Sequence, residues 1–165
     1  MIQLFLVLHV LGAIAVFGPS FAFPVIAAQA GRAPQHGHFA ALVIDLIERR
    51  IVIPGAIVQG ITGVCLILVI GLDITSPAWR WLILAIALYA IAVGYAILVQ
   101  KPAAERMVEL TAGPPAGAPG AAPAAAPSGP PPELVATAKK LARGGQLLTV
   151  LIVAIVILMV TKPIS

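Results

Sequence analysis

Charge is scarce in this sequence. Only 10% of its 165 residues are Asp, Glu, Lys or Arg, against roughly a quarter in an average soluble domain. A chain so composed cannot cover a surface with polar side chains, which excludes a soluble enzyme, a disordered regulator and a nucleic-acid-binding module. Cysteine is almost absent: Cys65 stands alone, so no intrachain disulfide can form and redox compartment is not readable. Also missing are a nucleophile elbow, a phosphate-binding glycine loop, a zinc-ligand cluster and a pair of intramembrane carboxylates. No positive sign of an enzyme is present. What the chain does have is 61% hydrophobic residues and a mean hydropathy of +1.08. One membrane domain is the class that remains.

Four apolar runs are long enough to cross a bilayer, which takes about 20 helical residues. They cover 4–30, 54–72, 78–99 and 141–160, and four segments in lipid must be helices because four short strands cannot close a barrel. The first run has no Lys or Arg ahead of it and is too long for a signal-peptide core, so it reads as a retained helix. Gly18-Pro19 and Pro24 predict a kink within it.

Between the first two runs, a polar stripe of His38, Asp45, Glu48 and Arg49 alternates with Leu42, Val43, Ile44, Leu46 and Ile47. Asp45 and Arg49 are four apart, the spacing at which helical ion pairs meet. This predicts a cytoplasmic amphipathic helix over 38–53 at the membrane surface, running into the second span. Thr75 or Ser76 is placed to cap the third helix, Pro77 suits its first turn, and Trp79 and Trp81 fall at headgroup level. Pro102 to Leu110 predicts a short polar helix. Residues 111–132 are built from eight Pro, eight Ala, four Gly, one Thr and one Ser, a composition that predicts a disordered spacer. Glu133 then opens a helix leading into the last run.

Orientation follows from Lys and Arg. Eight of the ten, Arg32, Arg49, Arg50, Lys101, Arg106, Lys139, Lys140 and Arg143, flank the first and third loops, and only Arg80 and Lys162 lie opposite. That bias places the large loops in the cytoplasm, both termini outside and the protein in the plasma (inner) membrane. The net charge of +4 is thereby read as topology, with no nucleic-acid partner. Ala56, Gly60 and Gly63 share one face of the second span, and Ala87, Ala90 and Gly94 one face of the third. Such stripes permit close approach, which predicts that these two helices pack along them or that the stripes mediate a dimer.

Polar groups inside the spans are the candidate site, because burying them in lipid is costly. His9 lies about two turns into the first helix. It reads either as a metal or haem ligand or, more commonly for a lone histidine, as a hydrogen-bonding residue between helices. Depth accounting puts Cys65 and Met159 at its level, and imidazole, thiolate and thioether together suit Cu(I); the plain alternative is that both are packing residues. His36 lies roughly 40 Å of helix away from His9, and His36 and His38 read as exposed loop histidines. Gln29, Gln59, Gln100 and Gln146, near the same ends of their helices, predict a polar layer holding the bundle together or lining a vestibule.

Three segments carry a resemblance: Leu8-His9-Val10-Leu11-Gly12-Ala13, Pro54-Gly55-Ala56-Ile57-Val58-Gln59-Gly60-Ile61-Thr62-Gly63, and Met159-Val160-Thr161-Lys162-Pro163. They resemble a bacterial family of four-span integral membrane proteins with no assigned function, over most of the chain except the Pro/Ala linker. The first helix is also similar to that of the CopD-type copper-resistance domains and the HemJ-type protoporphyrinogen oxidases, with Val16-Phe17-Gly18 where a Trp-Gly is usual. That likeness carries over His9 alone, as a haem b or copper ligand; no second intramembrane His is present, so a second haem ligand would have to come from Met159 or another subunit. The expectation is an all-α integral membrane four-helix transmembrane bundle. Its leading function is non-enzymatic, acting by association with the lipid bilayer as its medium and with itself or a larger membrane complex as partner. The alternatives are a haem- or copper-binding protein using His9 and a small oligomeric transporter.

Overall fold

The computed structural model describes residues 2–112 and 129–162, and among these it contains helices and turns and no strand. The greater part of the expected Pro/Ala spacer, 113–128, lies outside the described residues. The chain forms four rods, Ile2–Arg32, Pro34–Ile70, Pro77–Thr111 and Pro132–Thr161, each long and apolar enough to cross a membrane. This is the all-α membrane bundle the composition demands. At about 1.5 Å per residue the rods run to roughly 45–55 Å, well beyond a hydrocarbon core of about 30 Å. Each therefore has an apolar half and an overhang, and in the last three rods the overhang carries most of the charge.

Prolines mark the joints. The first rod is α1 (Ile2–Phe17), a 3₁₀ turn over Gly18–Ala22, and α2 (Phe23–Arg32). The expected kink at Pro19 and Pro24 is this tightened turn. The second rod is α3 (Gly37–Ile47), a π-helical turn over Glu48–Val52, and α4 (Ile53–Ile70). The third is α5 (Arg80–Tyr95), a π turn over Ala96–Gln100, and α6 (Lys101–Thr111). Pro54 offers no N–H to the carbonyl of Arg50, nor Pro102 to that of Leu98, and each ring crowds that carbonyl. The helix widens in the turn before each proline and continues. The fourth rod, α7 (Pro132–Thr161), has no proline after its first residue and is uninterrupted for 30 residues.

The helix expected over 38–53 runs into the second span as α3 and the π turn, and it packs against α2 and α6. The polar helix expected after Pro102 is α6, continuous with the rest of the third rod. A helix packed on neighbours keeps its axis along theirs, and the π turns absorb what the prolines would break.

The apolar halves pack in two pairs, α1 on α4 and α5 on α7; the charged overhangs join across the pairs through α3 on α6, and α6 on α7 extends the contact within the second pair. The interior is made of small residues: Ala40, Ala41, Ala56, Ala85, Ala92, Ala103 and Ala104 are buried, with Val16, Leu66, Trp81 and Leu82. Leu and Val side chains such as Leu11, Leu68, Val150 and Val160 point outward, as lipid-facing residues do. The short hairpin between the middle rods begins at Gly71, whose φ of +70° suits a residue without Cβ. Its N–H and that of Leu72 both return to the Ile67 carbonyl, closing α4. Thr75 does not cap the third rod: its N–H and hydroxyl go to the Asp73 carboxylate, at 3.0 and 2.6 Å. Ser76 is the N-cap by position but makes no side-chain cap bond. Trp79 and Trp81 lie 5.8 Å apart, and Lys162 approaches the face of the Trp81 ring at 6.0 Å.

Candidate functional site

The first rod meets the second through a polar clasp. The His9 Nδ1 lies 2.9 Å from Thr62 Oγ1, and the Thr62 hydroxyl donates to the Gln59 carbonyl at 2.9 Å. With its one proton committed, Thr62 can only accept from the imidazole, so His9 carries its proton on Nδ1 and keeps a lone pair on Nε2. Gln59, itself buried, donates its Nε2 to the His9 carbonyl at 2.8 Å. Glycines make room for this contact. A Cβ on Gly12 would lie 2.7 Å from Gln59 Oε1, one on Gly63 3.2 Å from His9 Cε1, and one on Gly55 would strike Val16.

The third and fourth rods meet in a related way. Gln100 Nε2 donates to the Leu141 carbonyl at 3.2 Å, while a Cβ on Gly144 would collide with Gln100 Oε1 and lie 2.9 Å from the Tyr95 hydroxyl. In both clasps a glutamine amide bonds the carbonyl of one residue and rests its oxygen over the glycine three positions on. His9 with Gly12 repeats as Leu141 with Gly144. The expected layer of four glutamines is therefore two separate clasps, made by Gln59 and Gln100; Gln29 and Gln146 are exposed.

Between the pairs, the Tyr89 hydroxyl donates to the Ala56 carbonyl and its ring sits against Gly60. Above this link the pairs part around an open apolar groove of about 370 Å³, lined by Ala56, Gly60, Val64, Cys65, Tyr89 and Val93 among others. The two small-residue stripes thus do not face each other. Gly55 and Gly63 serve the first rod, Gly60 meets Tyr89, and Ala87 and Ala90 are exposed. Ala85 and Ala92, on the rod that packs against α7, are the buried small residues of α5.

The predicted ligand residues are distributed over three elements. His9 is half-buried in its clasp with Thr62. Cys65 lines the groove that opens toward α5. Met159 is exposed on α7, which packs on α5. Among the described residues no three His, Cys, Asp or Glu side chains are grouped as a metal-ion site. His36 is exposed, but His38 is half-buried on α3 and its Nδ1 lies 3.2 Å from Thr111 Oγ1. Thr111 donates to the Met107 carbonyl, so His38 repeats the protonation of His9.

Charged residues cluster where α3 meets α6. Asp45 is buried and bonds Arg49 at 3.3 Å, the predicted i, i+4 pair. Lys101 bonds Glu105 at 2.8 Å. Glu48 is 6% exposed and, among the described residues, has no hydrogen bond or ion pair. Burial above all, then the charges of Asp45 and Glu105, raise its carboxyl to about 7, against a smaller opposing effect of Lys101. At the far hairpin, the hydroxyl and N–H of Thr75 hold the Asp73 carboxyl below its usual value. Arg106 bridges Glu109 and Glu133, each at 2.7 Å, joining the ends of the third and fourth rods across the Pro/Ala segment. Glu48 and the Thr62 acceptor are the polar groups that the sequence did not single out as a site.

A family model described as a predicted integral membrane protein (DUF2269) matches residues 3–163, and the chain belongs to that family. No curated protein and no solved structure matches it.

Proposed function

We propose that this member of the DUF2269 family is a non-enzymatic multi-pass bundle of the plasma (inner) membrane that acts by association with a second copy of itself or a larger membrane complex. Its basic overhangs face the cytoplasm, on the strength of the Lys and Arg asymmetry. The observation that supports association is the parting of the helix pairs. The charged halves are packed together, whereas the apolar halves leave an open apolar groove beside Tyr89, and its exposed wall at Ile57, Ile61 and Val64 offers apolar surface to a neighbouring helix. Native mass spectrometry from lipid nanodiscs tests it, comparing the wild type with Val64→Trp, which fills the groove. Association predicts a mass above one chain that Val64→Trp reduces to the single chain without loss of helicity. A single-chain species in the wild type that never copurifies with another protein overturns the reading.

A second reading is favoured by the tautomer of His9. Copper and haem iron are bound through an unprotonated imidazole nitrogen, and a ligand histidine gives its other N–H to a fixed acceptor. The Thr62 hydroxyl supplies such an acceptor and leaves Nε2 free. When bound, either group would bring one-electron chemistry; the chain's part is to hold the imidazole in one tautomer and orientation. Absorption spectra of oxidised and reduced protein, with elemental analysis, test this in the wild type, His9→Ala and Thr62→Val. Stoichiometric haem or copper lost in His9→Ala and weakened in Thr62→Val supports it. Full retention of the bound group by His9→Ala removes it.

A further inference from the structure

Glu48 has no role in either reading, and its placement is unusual. It is the first residue of the π turn in the second rod, and it is buried although it makes no ion pair or hydrogen bond among the described residues. A buried ionised carboxylate without a partner is unfavourable, and the group escapes that penalty by keeping its proton. The charges facing it come from two elements. Its own rod supplies Asp45 and Arg49, already engaged with each other, and α6 supplies Lys101 and Glu105, also engaged with each other. The π turn further packs on α1 and on the 3₁₀ turn Gly18–Ala22. The 3₁₀ turn and the adjoining end of α1 contain no titratable residue. Loss of the Glu48 proton would therefore place a third carboxylate beside Asp45 and Glu105, with the Lys101 ammonium shared between Glu48 and Glu105.

The position of this group makes its charge state consequential. Lys101 directly follows the π turn of the third rod, as Glu48 opens that of the second. Both joints thus border one small cluster, and α3 on α6 is the main seam tying the two helix pairs at this end. We infer that Glu48 is a proton-binding site built into the joint of the second and third rods, and that release of its proton loosens the α3–α6 seam. The site takes a proton rather than a metal ion, since its carboxylates are not grouped to ligate one.

The test uses the full chain in lipid nanodiscs. Infrared difference spectra recorded across a pH titration show a protonated-carboxyl band that disappears through a pH of about 7 and is missing in Glu48→Gln. Glu105→Gln removes a like charge and moves the loss to lower pH; Lys101→Met removes the opposing charge and moves it to higher pH. Spin labels at Leu42→Cys and Glu109→Cys, with Cys65→Ser, report the seam: their distance distribution broadens above the transition and stays narrow in Glu48→Gln. A band that titrates in the ordinary carboxylate range, or one unmoved by Glu105→Gln and Lys101→Met, overturns the proton site even if Glu48→Gln misfolds. A label distance independent of pH overturns the coupling.

Discussion

The two glutamine clasps make a quantitative prediction about how the rods are held. In Gln59→Ala the amide bond to the His9 carbonyl is lost, but that carbonyl keeps its own helical partner within α1, so no orphaned acceptor remains. Side-chain hydrogen bonds inside bilayers contribute about 0.6 kcal/mol on average and up to about 1.7, and the vacated amide adds a packing loss, so about 1–2 kcal/mol is expected. In Gly12→Ala the new methyl would stand 2.7 Å from Gln59 Oε1, nearer than carbon and oxygen tolerate. Either the amide swings away and breaks its bond or α1 retreats from α4. Overpacking of this kind costs about 1–3 kcal/mol, partly offset by the gain of about 0.5–1 kcal/mol from replacing a helical glycine. In the double variant the methyl occupies space the amide has left, so the clash disappears and the cost falls short of the sum by about 1–2 kcal/mol. Equilibrium unfolding of the four proteins in bicelles, followed by steric trapping, measures the cycle. Gln100→Ala with Gly144→Ala tests the other pair, where the clash with Tyr95 outlasts the loss of the amide and only part of the cost of Gly144→Ala is relieved. Additivity within about 0.5 kcal/mol at both pairs would refute the clasp.

Stability should also depend on pH through Glu48. Its folded value near 7 lies above the ordinary 4.5, so below 4.5 both states hold the proton and nothing is lost; as pH rises from there to 7 the unfolded chain ionises first and stability falls by about 3 kcal/mol, after which it is level. Glu48→Gln should flatten that segment of the stability-against-pH profile, and an unchanged slope would count against the assignment. Gly71→Ala forces a Cβ into the left-handed region and should cost about 1 kcal/mol, with Gly71→Asn closer to wild type by the same unfolding assay. Trp81 is buried where Trp79 is half-exposed, so brominated lipids should quench the Trp81→Phe variant, which retains Trp79, more strongly than Trp79→Phe.

The parts of this fold that the sequence announces are those governed by the bilayer alone. Four apolar runs force four helices, and Asp45 with Arg49 meets at the spacing one helix turn dictates. What it does not announce depends on which rod lies against which. A proline read locally stops a helix, yet Pro54 and Pro102 only widen theirs, because packing of α3 on α6 holds both overhangs in line. A small-residue stripe says that a close neighbour is permitted and not who it is, so Ala87 and Ala90 face outward while Ala85 and Ala92 are covered. Glu48 belongs to a polar stripe that periodicity assigns to solvent, and only the arrival of α6 turns that stripe inward. The partner of His9 was nearer to hand. The depth argument that set Cys65 beside His9 sets Thr62 there too, one turn below it, and an imidazole N–H in an apolar span needs an acceptor such as that hydroxyl. The clasps extend this reasoning into a rule of spacing. A glutamine can hold a neighbouring helix where a glycine follows three residues after the carbonyl it bonds, because only there can its second amide atom rest without a Cβ beneath it. His9 with Gly12 and Leu141 with Gly144 both satisfy that spacing, which turns pairing between rods into something a sequence can carry.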